Sequence, residues 1–150
     1  MVAAASSPLE RRVLAAQATL DRFKDQPFAW GRFDCARMVA FHLRQMGYRP
    51  RMPAAGTYRS ALTGYGALKR AGYARLADAL DGLGFARIAP AAALVGDIIE
   101  GPADDAGENP FGAMSVALGN GAICGYHPDF AGAIAMRPLA FVAAWRVDPR

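Results

Sequence analysis

The apolar spacing along this 150-residue sequence changes once, near Phe85, from a helical period to short alternating runs. Before that point the signals are helical. Ser7, Pro8 and Glu10 stand at the N-cap, first-turn and capping-box spacings of a helix. Leu9, Val13, Ala16, Leu20 and Phe23 then recur as one stripe that should pack on the body of the domain, ending near Asp25 before Pro27. A second helix should open at Asp34 or Cys35 and stop at Gly47, with shorter helices around Leu62 to Arg70 and Leu76 to Leu83. After Phe85, strands are expected at Phe85–Ala89, Asp97–Glu100, Ala113–Leu118, Ala122–Tyr126, Ala133–Met136 and Phe141–Val147, with Asn120-Gly121 as a hairpin turn. Helices followed by strands predict an α+β fold in which N-terminal helices pack on a C-terminal antiparallel sheet.

Composition supports one domain over residues 1–150. With 53% hydrophobic and 20% charged residues, a chain of this length buries roughly 68–70% of its unfolded surface and needs no metal or disulfide to hold it. Within it, residues 1–26 form the first helix, 27–84 the cysteine helix and short helices, and 85–150 the sheet. Two cysteines, Cys35 and Cys124, make no disulfide framework, and Cys124 is expected to pack in a hairpin. No secretory signal or membrane span is visible, since glycines and Pro110 break the uncharged stretch from Asn109 to Pro128. The acidic stretch Gly101 to Pro110 reads as a loop. Metal spacings and phosphate-binding glycine loops are lacking, so no cofactor is expected.

The net charge of +4 conceals an asymmetry. Residues 1–75 hold 13 Arg or Lys against 4 Asp or Glu, whereas residues 76–150 hold 4 against 9. One reading is ordinary solvated helix faces; the other is two oppositely charged faces that meet partners. Nucleic acid is not expected, because no basic run is interleaved with aromatics.

Chemistry concentrates between Pro27 and Gly47, in PFAWGRFDCARMVAFHLRQMG. A cysteine in the first turn of a helix faces unpaired backbone N–H groups and the positive end of the helix dipole, which favour the thiolate. Alternatively, Cys35 is a small buried hydrophobe. His42 follows it by seven residues, about 10.5 Å along a helix, too far to serve as its base.

The Pro-aromatic and Trp-Gly pieces, Asp34-Cys35 opening a helix, Gly96-Asp97-Ile98 and the closing Ala144-Trp145-Arg146-Val147 resemble the NlpC-like cysteine peptidases of the papain-like superfamily. More narrowly, with the Tyr58 region, they resemble a compact NlpC-like family of phages and prophages encoded near tail-tip genes. The resemblance implies a peptidase-like fold with Cys35 as nucleophile, and a protein made in the bacterial cytoplasm and carried at the virion tail tip. It also implies other tail-tip proteins and peptidoglycan as partners, without membrane insertion.

Against that pattern, Ala113 stands where the family's histidine belongs and Gly125 where its orienting polar residue belongs. Phe28 replaces a tyrosine that helps hold the oxyanion, and Ala36-Arg37 replaces Ser-Gly. His127, with Asp129 to orient it, is the remaining candidate base. A cysteine at its free pKa is only a few per cent thiolate near neutrality, so a base is needed. Two functions follow: a degenerate, mainly structural tail-tip or tail-assembly protein, or an active cysteine hydrolase cleaving peptidoglycan stem peptides through Cys35.

Overall fold

The computed structural model describes residues 6–102 and 112–150. The first helix, α1, spans Pro8–Phe23 and carries the expected capping box: Ser7 Oγ accepts from the Glu10 amide, and Glu10 accepts from the Ser7 amide. Helix α2 covers Cys35–Gln45, α3 Ala61–Arg70 and α4 Leu76–Gly82. Strands β1 (Arg87–Ile88), β2 (Ile98–Gly101), β3 (Ala113–Gly119), β4 (Ala122–Gly125), β5 (Ile134–Met136) and β6 (Ala143–Trp145) follow. A 3-10 turn at Pro90–Ala92 lies between β1 and β2. The loop expected at 101–110 falls, beyond Pro102, outside the described residues.

All six strands form one antiparallel sheet in the order β1-β6-β2-β3-β4-β5. The last strand thus inserts between the first two. The β3–β4 hairpin turns on Asn120 (φ 54°) and Gly121 (φ 76°), the paired left-handed geometry that an Asn-Gly loop supplies. One face of the sheet presents Ile98, Met114, Val116, Cys124, Trp145 and Val147 to Phe23, Met38, Val39, Leu43 and Met46 of the helical layer. The other face carries a smaller cluster of Ile99, Ala117, Ile123 and Ala144.

Helix α1 buries the second half of its expected stripe, Ala16, Leu20 and Phe23, but not the first. Leu9 and Val13 stay 63% and 48% exposed, while Arg12, Ala15, Ala16, Thr19 and Phe23 turn inward. A buried carboxylate accounts for the inward turn of Arg12. Asp97, fully buried, accepts from Arg12 Nη1 (3.0 Å), Arg146 Nε (3.0 Å) and the amides of Leu94 and Val147 (both 2.9 Å). Arg12 also donates to the Val95 carbonyl and to Asp148. Drawing this arginine inward leaves Leu9 and Val13 outside while Ala15, Ala16, Thr19 and Phe23 meet the core.

Beside this network lies His42, also fully buried. Its Nε2 stands 2.7 Å from the Gly96 carbonyl, which can only accept, so Nε2 carries the proton and Nδ1 faces Thr19 Oγ1 at 3.3 Å. Burial holds its pKa below the ordinary value.

Both buried groups should register in stability measurements. Asp97→Ala, which leaves Arg12 without its buried partner, should cost about 3–5 kcal/mol in denaturant unfolding, as breaking a buried ion pair does. The unfolded chain takes up a proton at His42 more readily than the folded one. Stability should therefore hold above the ordinary histidine pKa and fall below it, by up to about 1.4 kcal/mol per pH unit until the folded pKa is reached. Unfolding curves recorded from neutral pH down to about pH 5 should show this slope, flattened in His42→Gln.

Candidate functional site

The turn before α2 is built to hold its first residues. Ala29 and Phe33 exchange backbone hydrogen bonds of 2.9 Å, closing the turn, and Gly31 sits at φ 79°. A β-carbon on Gly31 would stand 1.9 Å from the Tyr58 carbonyl oxygen, so glycine is required there on both counts. Asp34 is the N-cap and is fully buried. Its carboxylate accepts from the amides of Gly31 and Arg37 (both 2.8 Å) and from the Tyr58 hydroxyl (2.7 Å). Tyr58, named above only as part of a resemblance, thus pins the 50–59 segment to the start of the cysteine helix.

Cys35 is the first residue of α2 and is 5% exposed. Its thiol donates to the Gly112 carbonyl at 3.6 Å, just before β3 begins. The backbone amides of Met114, Ala36 and Cys35 itself pull the thiol pKa down, as the helix N-terminus argument expects. Burial comes first in the opposite direction, followed by the Asp34 charge, and together they push it up to about 12. At neutral pH Cys35 is a protonated thiol.

Of the two positions singled out in the sequence, Ala113 opens β3 and Gly125 closes β4. Gly125 lies on the far side of the sheet: a β-carbon there would meet Met136, Ser115 and Ile123. Ala113 shares that side, 3.7 Å from where a β-carbon on Gly101 would stand. On the side of the cysteine helix it is Met114, 2% exposed, that packs in the same cluster as Cys35. The β3–β4 register, with Val116 opposite Cys124, continues to bring Tyr126 beside Met114. Ala113 and Gly125 thus lie on the face of the sheet opposite Met114 and Tyr126.

Trp30 and Tyr126 pack against the cluster that holds Cys35. Phe28 packs edge-on against Trp30 (4.9 Å between centroids) and Tyr126 (5.3 Å). The Tyr126 hydroxyl donates to the Gln26 carbonyl at 3.4 Å, and burial together with the Asp34 charge raises its pKa. It supplies no base near neutrality.

His127 and Asp129 lie in the segment between β4 and β5. The His127 ring is 42% exposed, accepts from the Asp129 amide at Nδ1 (3.1 Å), stands 3.7 Å from the Asp129 carboxylate and meets Phe130 edge-on. No hydrogen bond joins it to Cys35, whose partner is Gly112. Cys124, fully buried, lies 3.8 Å from Met38 Sδ, and burial pushes its thiol up to about 12 as well. Among the described residues no three His, Cys, Asp or Glu side chains gather as metal ligands, and no helix is long and apolar enough to cross a membrane.

A cysteine opening a helix that packs on an antiparallel sheet, under a glycine-aromatic turn, defines an NlpC-like member of the papain-like fold class. A solved structure of NlpC2 from Trichomonas vaginalis is similar at a TM-score of 0.60 and 14% identity, covering 100% of this chain. The chain spans about half of that protein, 49% of its length, so the likeness concerns the fold. By sequence the chain belongs to the family described as a domain of unknown function, DUF6950, which it matches over residues 9–147. No curated protein matches it.

The state of the thiol is directly measurable. Alkylation of Cys35 by iodoacetamide, followed by peptide mapping to separate it from Cys124, should stay slow through neutral pH and rise only in strong alkali. An apparent pKa near that of a free thiol, about 8.5, would contradict the environment described here.

Proposed function

We propose that this chain is a non-catalytic NlpC-like domain with a mainly structural role, and, from the family resemblance of its motifs, that it serves at or in the assembly of a phage or prophage tail tip. One observation carries the non-catalytic reading: the Cys35 thiol is buried against the Gly112 carbonyl, and its neighbours Met114 and Tyr126 take no proton at neutral pH. The family resemblance supports the tail-tip setting and, with it, partners among other tail-tip proteins. Peptidoglycan fits this reading as a surface met by the domain.

The alternative is a hydrolase acting on peptidoglycan stem peptides, with Cys35 as nucleophile, His127 as base and Asp129 as its orienter. The His127–Asp129 contact is what favours it. Incubation of the protein with purified peptidoglycan separates the two. The non-catalytic reading expects no release of stem peptides above that given by Cys35→Ala. Release that is abolished by both Cys35→Ala and His127→Ala, with unchanged thermal unfolding, establishes the hydrolase instead. Met114→His should raise the alkylation rate of Cys35 at neutral pH at least about tenfold, because an imidazole there can accept the thiol proton.

A further inference from the structure

The charge asymmetry resolves unevenly in three dimensions. Of the acidic residues beyond 75, Asp97 and Glu100 are buried, Asp81 pairs with Arg87, and Asp148 pairs with Arg12. Several basic residues have no such partner. From Cys35 to Ala77 the sequence has no Asp or Glu and eight Arg or Lys. Six arginines gather around the 49–59 segment: Arg32, Arg37, Arg44, Arg49, Arg51 and Arg59. None of the six forms an ion pair among the described residues, whereas Arg75 further along pairs with Glu100.

The segment runs back along α2 as a strap, and arginines tie it down. Arg44 donates to the Pro50 carbonyl, Arg37 to that of Pro53, and Arg32 lies over Gly56, where a β-carbon would stand 2.7 Å from its Nη2. Arg37 and Arg44 are two helical turns apart, about 10.5 Å. Each of these guanidinium groups keeps further N–H donors beyond those the strap uses. Arg49, Arg51 and Arg59 project from the strap and are exposed.

We infer that this arginine strap is a docking surface for an acidic, carboxylate-rich segment of a partner protein. Arginine's planar fork suits two-oxygen anions, and no lysine contributes here. A row about 10.5 Å long matches about three residues of extended peptide at roughly 3.3 Å each. Nucleic acid fits less well. Tyr58, the one aromatic in the 49–59 segment, is buried under it and offers no base a stacking surface. Duplex binders commonly neutralise about 6–10 phosphates, more than three projecting arginines reach. This assignment does not depend on whether Cys35 is catalytic.

The test is fluorescence anisotropy of a labelled poly-glutamate peptide with the intact protein at low salt, repeated at rising salt. Binding should occur and weaken with salt, and Arg49→Glu with Arg51→Glu should weaken it about tenfold or more. A control of equal charge change, Lys69→Glu with Arg70→Glu on α3, should weaken it less than about threefold. Thermal unfolding of both double variants checks that the fold persists. The proposal is overturned by absence of poly-glutamate binding, by equal losses in the two double variants, or by tighter binding of a labelled DNA duplex than of the peptide.

Discussion

A single buried carboxylate joins parts of this chain that are far apart in sequence. Asp97 gathers Arg12 from the first helix, Arg146 and the Val147 amide from the last strand and its exit, and the Leu94 amide from its own loop. Four donors around one fully buried anion satisfy it, and each donor fixes a different stretch of chain. The first turn of α1 is set by Arg12, β6 is held between β1 and β2, and the loop into β2 is folded back. His42, hydrogen-bonded to the neighbouring Gly96, ties the cysteine helix to the same point. The position of Cys35 against β3 follows from this arrangement, because α2 and the sheet are referenced to one anchor.

A second carboxylate acts in the same way at shorter range. Asp34 holds the turn at Gly31, the first turn of α2 and Tyr58 of the strap. Its charge, however, acts on the thiol one residue away in the direction opposite to the helix dipole. Capping the helix and activating its cysteine thus pull against one another, and only a cation or imidazole beside the thiol would reconcile them. Met114 is neither.

How legible this was in the sequence depended on range. Ser7-Pro8-Glu10, Asp34 and Asn120-Gly121 act on residues at most three or four positions away, and each produced the cap or turn its chemistry requires. The α+β order and the NlpC-like fold were equally readable, because the period of apolar residues and the PFAWG and Asp-Cys motifs are local patterns. Three features were not. The insertion of β6 between β1 and β2 depends on Asp97 meeting residues about fifty positions later, and α1 turns on a partner further still. The count of acidic residues suggested an acidic face, yet Asp97 and Glu100 were destined for the interior.

Both cysteines are protonated at neutral pH, each enclosed by packed side chains with its thiol held near 12. Oxidation of cysteine to sulfenic acid and exchange with other disulfides both start from the thiolate. A chain whose thiolates are scarce and shielded is slow to enter either route. A solvent-exposed, activated cysteine at the same position would enter both routes far more readily.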